Sequence, residues 1–141
     1  MTLDEFINNT KLLGIDVNKE QLDKLSIYAS FLMEYNAHTN LTAIKTIDEI
    51  YLKHFYDSLT LTKVIDLNTC DNLLDIGSGA GFPGMVLKIF YPNLKVTLLD
   101  SNNKKTTFLK ELVKKINVDN VEVINIRVET LAKERLNYYD V

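Results

Sequence analysis

The chain has 141 residues, 46% of them hydrophobic and 25% charged, which suits one compact soluble domain or a small domain with an appendage. No run of about 18 apolar residues occurs, so a transmembrane helix is excluded, and the acidic start MTLDEFINN is unlike a signal peptide. A net charge of -3 argues against a globally basic nucleic-acid binder, while the single Cys70 excludes an internal disulfide and a thiolate metal site of its own, leaving no metal expected and a reducing cytoplasm as the simplest compartment.

In chain order, residues 1–70 read as an N-terminal helical cap. Thr2-Leu3-Asp4-Glu5 fits a capping box, and Phe6, Leu12 and Leu13 supply an apolar stripe before Gly14 stops the first helix. A second helix starts at Asn18, carries Leu22, Leu25, Tyr28, Ala29 and Leu32 at helical spacing, and ends near Asn36. After the polar turn NAHTNLT, Thr46-Ile47-Asp48-Glu49 is a further capping box, with Ile50, Tyr51, Phe55, Leu59 and Leu61 as core positions.

From residue 71 the pattern changes. Short apolar runs at Leu73–Ile76, Lys95–Leu99 and Val121–Ile126 are separated by helical periodicity over Gly84–Phe90 and Lys104–Ile116. Strand, helix, strand, helix, strand at this spacing predicts an α/β domain over 71–141, with parallel strands joined by right-handed crossovers. Tyr138–Val141 looks like the entrance to a fourth strand, and the chain is expected to be a C-terminally truncated piece of a larger sheet. Charge is uneven: residues 1–70 hold no arginine, whereas Lys104, Lys105, Lys110, Lys114 and Lys115 cluster on one predicted helix. That cluster reads either as a solvated face or as a patch facing phosphate.

The segment Leu73–Gly84, LLDIGSGAGFPG, carries the chemistry. Asp75 stands two residues before the first of three alternating glycines, Gly77, Gly79 and Gly81. A strand that must turn sharply while a ligand approaches its backbone needs residues without side chains there. The Asp75 carboxylate can hold the loop or receive a cationic ligand's amino group. Pro83 suits the first turn of the next helix. This D-x-G-x-G-x-G frame points to S-adenosylmethionine. A dinucleotide reading competes, because Gly79–Gly84 formally matches G-x-G-x-x-G and Asp100 lies near the distance expected of a ribose-binding acid. Its register is late, since the first glycine should directly follow the strand, and in that frame Phe82 occupies the third glycine position. Asp100 ends the second strand; it either accepts hydrogen bonds from ribose hydroxyls or caps the following helix.

LLDIGSGAGFPG, VTLLDSNNKKTTFL and IRVETL, preceded by NAHTNLTAI and KHFYDSL, closely resemble the glucose-inhibited division protein B family, from about Leu32 to Val141. The resemblance implies a Rossmann-like class I methyltransferase fold and methylation of guanine N7 in the 530 loop of 16S ribosomal RNA, with the RNA or the small ribosomal subunit as partner. Carried over residue by residue, cofactor contacts fall on Gly77 and Phe82, on Val128 and Glu129 flanking the adenine, and on Asp100 at the ribose. Asp75 and Gly79 complete the cofactor-binding set. A further cofactor-site arginine of the family, in a segment resembling S-R-A, would lie beyond Val141, so partial cofactor binding by an inactive piece is the other expectation. Guanine N7 loses no proton on methylation, so no general base is expected and no catalytic residue is assigned. His54 is read as an RNA or cofactor contact or as a helix-packing histidine. Asn36, Asn40 and Thr42 either brace the cap or shape the guanine pocket, and Arg127 either touches a phosphate or exchanges charge with Glu129.

Overall fold

A computed structural model describes residues 1–141. Helix α1 (Leu3–Leu12) starts at a complete capping box of Thr2 and Glu5. Its buried positions are Phe6 and Thr10, with Leu13 partly buried behind them, so the stripe runs along 6, 10 and 13. Leu12, expected in that stripe, is instead 85% exposed, because it falls about 100° round the helix from Leu13. Helix α2 (Lys19–Asn36) opens on a second capping box, Asn18 with Gln21, and buries Leu25, Tyr28, Ala29, Phe31 and Leu32.

The next helical stretch is irregular. Only half of the expected box forms at α3 (Ile47–Ile50): Glu49 N donates to Thr46 Oγ1, while the Glu49 carboxylate turns to Lys53. The chain then widens into a π-helical segment, Tyr51–Tyr56, and tightens through α4 (Asp57–Leu59) into a 3-10 turn, Thr60–Lys63. Ile50, Tyr51, Phe55 and Leu59 are buried as expected, and Leu61 is partly buried.

Strands β1 (Asn72–Ile76), β2 (Lys95–Leu99) and β3 (Val121–Ile124) form one parallel sheet in that order. The register sets Leu73 beside Val96 and Val96 beside Val121. Side-chain alternation therefore puts Leu73, Asp75, Val96, Leu98 and Val123 on one face. That face is covered by α5 (Gly84–Phe90) and α6 (Asn103–Ile116), and the cap packs outside them: α2 on α5 and α6, α4 on α5. One cluster of 25 buried hydrophobic residues, from Phe6 to Ile116, runs through cap and sheet alike. Two lysines pin its lower end. Lys88 is buried and donates to Pro92 O and Leu94 O at 2.7 and 2.6 Å, and Lys24 donates to Ile116 O at the end of α6 at 2.6 Å.

The opposite face carries Leu74, Ile76, Thr97, Leu99, Glu122 and Ile124, and the chain reaches it after β3, past α7 (Val128–Glu134). This helix was not among the predicted elements; it is short, and Leu131 is its one buried residue. A bidentate Arg135–Glu122 pair at 2.6 and 3.0 Å, extended through Tyr139 Oη to Thr97, ties the following segment to the sheet. That segment then runs beside the free edge of β1. Asp140 N donates to Asn72 O at 2.9 Å and Leu74 N to Val141 O at 2.8 Å. The chain steps β1, β2, β3 in one direction and returns on the other side of β1, which makes the carboxyl end of β1 the point where strand order reverses.

Candidate functional site

Strand β1 ends at Ile76 and Gly77 follows it directly, at φ +70°. The amides of Gly77 and Ser78 both donate to Leu99 O, at 2.8 and 3.1 Å, folding the loop over the end of β2. Gly79 N donates to Asp100 Oδ2 at 3.0 Å, Gly81 N and Phe82 N to Ser78 O, and Gly84 N to Asp75 Oδ2 at 2.9 Å. Pro83 has no amide proton and serves as the N-cap of α5, one position earlier than its predicted place. These loop donors are thus consumed by the chain itself. A dinucleotide pyrophosphate is held by free amides at a loop and helix N-terminus, and here the amides of Gly77, Ser78, Gly79, Gly81, Phe82 and Gly84 are already engaged.

Beyond the carboxyl ends of the three strands lies an open cleft of about 630 Å³, within the usual range for small-molecule sites. Gly77, Leu99, Asp100, Arg127, Val128 and Glu129 form most of its wall. Four predicted site residues, Gly77, Asp100, Val128 and Glu129, therefore meet in one place. An added Cβ at Gly77 would find nothing within 4 Å, so the backbone there is bare toward open space. Asp100 is buried, with Oδ1 accepting from Asn102 N at 2.8 Å and Oδ2 from Gly79 N. A carboxylate has about four acceptor positions, so each oxygen retains one for a ligand hydroxyl. Asp100 does not cap α6; Asn102 does, accepting from Lys104 N and Lys105 N. On the far wall the Asn125 amide, with its NH2 turned inward, reaches Asp100 O and Ser101 O at 3.2 and 3.0 Å. Arg127 is exposed at the N-cap of α7 and makes no ion pair with Glu129.

Asp75 and Phe82 are outside that wall, behind the loop, and Gly79 lies in the loop itself with its amide on Asp100. Asp75 is buried; burial pushes its carboxyl up to about 6 and the neighbouring Asp100 adds to the rise, against hydrogen bonds from Gly84 and Ser78. The Phe82 ring is sandwiched. It stacks on Tyr28 with centroids 5.3 Å apart and planes 3° from parallel, and on His54 at 4.1 Å and 4°. Tyr28 Oη then donates to Ala80 O at 2.5 Å, reaching the loop from α2. So closely does it approach that a Cβ at Gly81 would collide with the tyrosine hydroxyl. Burial holds the His54 imidazole below its ordinary pKa, with Asp57 opposing. Its Nε2 lies 2.9 Å from Thr42 Oγ1, an oxygen that also accepts from Ile44 N. Asn36 Oδ1 closes the same turn by accepting from Leu41 N and Thr42 N, whereas Asn40 is exposed.

The Tyr28–Phe82–His54 sandwich and the Asn125 brace were invisible to pattern reading. Helical spacing marked Tyr28 as core, and nothing in a 3.6-residue period announces a π-helical segment at His54, although such widenings are frequent at functional sites. No group of three or more His, Cys, Asp or Glu side chains is gathered where a metal could bind, and no helix is long and apolar enough to cross a membrane.

Residues 21–141 match the protein-family model of rRNA small subunit methyltransferase G. The chain is 46% identical over 129 residues to ribosomal RNA small subunit methyltransferase G of Lachnoclostridium phytofermentans, covering 92% of this chain and 53% of that protein. The proteins of the same name from Oenococcus oeni and Bacillus subtilis are 45% and 38% identical, over 98% and 96% of this chain and 57% and 56% of their own lengths. The chain thus spans about half the length of these curated relatives. With the match running through the cap, the glycine loop and the far wall of the cleft, the chain belongs to the rRNA small subunit methyltransferase G family.

Proposed function

We propose that this chain binds S-adenosylmethionine in the cleft at the strand ends and forms the cofactor-holding part of a small-subunit rRNA guanine-N7 methyltransferase working in the cytoplasm. The convergence of Gly77, Asp100, Val128 and Glu129 on one cleft carries this reading. Asp100 orients the ribose hydroxyls through its two remaining acceptor positions. Val128 offers apolar contact to the adenine, with Glu129 beside it, and Gly77 admits the ligand to the backbone. Asp75 and Asp100 under the loop give the site a negative potential that suits a cation. Asp75 and Phe82 support the loop from behind and the Gly79 amide ties it to Asp100, so their part in binding is to hold its shape.

When bound, S-adenosylmethionine supplies a methyl group already activated by its sulfonium. Since guanine N7 gives up no proton, the chain needs no general base, and its residues contribute alignment and electrostatic support. Titration calorimetry with S-adenosylmethionine, and separately with NADH, tests the cofactor; micromolar binding of the former alone is expected, and absence of binding overturns the reading. Incubation with small ribosomal subunits and tritiated S-adenosylmethionine, then borohydride–aniline cleavage and primer extension, tests the substrate. Because the chain covers about half of its relatives, binding without transfer would assign it the cofactor-binding part alone.

A further inference from the structure

Helix α6 concentrates the positive charge of the molecule. It holds five lysines and one glutamate, a net +4, in a chain whose total is -3, so the remainder carries -7. Lys104, Lys110, Lys114 and Lys115 are exposed and Lys105 is half-buried. None of them is within ion-pair distance of a carboxylate; the three ion pairs of the molecule lie elsewhere, at Lys24, Lys53 and Arg135. Lys104 and Lys105 also stand in the first turn, which contains no acidic residue. The helix dipole disfavours cations at that end, so the placement costs local stability without any compensating partner in the fold.

Position adds to charge. The α6 N-terminus follows Asp100 and Ser101, which line the cleft, and Asn125 fixes those two residues to the opposite wall. From Lys104 to Lys114 the helix runs about 15 Å away from the cleft mouth. The cleft wall sets two carboxylates, Asp100 and Glu129, against the single cation Arg127, so it offers phosphate less than the lysine helix does. A polyanion presenting one group to that cleft is therefore drawn to the flanking lysines. We propose that the exposed face of α6, with Lys104, Lys110 and Lys114, docks the phosphate backbone of the RNA whose base enters the cleft. This inference rests on the methyltransferase reading above, which names RNA as the substrate; the helix face names where the RNA lies.

The test uses the whole 141-residue chain and a fluorescein-labelled stem-loop RNA containing the 530 loop of 16S rRNA. Binding is followed by anisotropy at several salt concentrations, beside calorimetry with S-adenosylmethionine. The triple variant Lys104→Gln, Lys110→Gln, Lys114→Gln removes charge at exposed helical positions without loss of helix propensity. Lys11→Gln on α1 is the control. The triple variant is expected to bind RNA at least tenfold more weakly, and to flatten the log–log salt dependence by roughly 0.7 per lysine lost, with cofactor affinity unchanged. Wild-type RNA affinity and salt slope in the triple variant, or a loss no greater than that of Lys11→Gln, overturns the inference while leaving cofactor binding intact. An equal loss toward polyglutamate would point to an acidic protein partner and overturn it as well. Absence of cofactor binding in the unmodified chain would instead sink the reading on which it rests.

Discussion

The glycine loop has two unlike sides. Toward the cap it is closed: Phe82 lies between Tyr28 and His54, Tyr28 Oη reaches Ala80 O, and Asp75 takes the amide of Gly84 in a buried setting. Toward the strand ends it is open and polar, with a bare Gly77 backbone and Asp100 across from Arg127 and Glu129. The contrast shows how a loop can be rigid and accessible together. Aromatic stacking and consumed amides hold its shape from behind, so the front keeps only the groups a ligand needs. Substitutions behind the loop should act mainly on stability and those in front mainly on binding.

The largest expected effect is at the back. Phe82→Ala removes the middle ring of the sandwich and should cost about 3–4 kcal/mol, seen as a thermal midpoint lower by roughly 10 °C; a shift of only a degree or two would mean the stack does not hold the loop. Asp100→Ala crosses the divide. Stranding the amides of Gly79 and Asn102 should cost about 2–3 kcal/mol, and calorimetry should show S-adenosylmethionine affinity lower by tenfold or more.

Asp75 gives a pH signature. Its folded pKa, about 6, lies above its ordinary value of 3.8, so its contribution is complete below about pH 4 and is lost as pH rises through 6. Asp75→Asn keeps an acceptor for Gly84 N without the charge. In urea titrations the variant should gain on the native chain by of order 2 kcal/mol between pH 4 and 7; a constant difference across that range would contradict the buried carboxyl. The smallest stability effect is expected in front. Gly77→Ala meets no atom but keeps a left-handed backbone, costing about 1 kcal/mol. Its Cβ would project into the cleft, so cofactor affinity should fall by more than that loss of stability, and equal losses would argue that the loop front is not a binding surface.

Much of the fold is legible in the sequence. The ends of β2 and α5 match their expected residues, and α6 begins one residue early because Asn102 is its cap. Strand β3 ends at Ile124 rather than Ile126, since the chain must turn there to start α7 across the cleft. Helix α7 went unread because a seven-residue helix with one buried side chain carries almost no periodic signal. The candidate site was legible where it depended on strand ends: the glycines and the terminal carboxylates follow from where a parallel strand stops, whereas the Val128-Glu129 pair came only from the family resemblance.

Sequence alone determined the helices and strands of strong periodicity, the parallel sheet and the register of the glycine loop after β1, because apolar periodicity, caps and left-handed glycines are local properties of the chain. Tertiary structure decided which way each functional side chain faces. Phe82 turned toward Tyr28, 54 positions away, and His54; Asp100 reached back 21 residues to Gly79; Leu12 turned to solvent. Those outcomes depend on what packs against the loop, and α2 and the π-helical segment meet it only after the crossovers have stacked the cap onto α5 and α6.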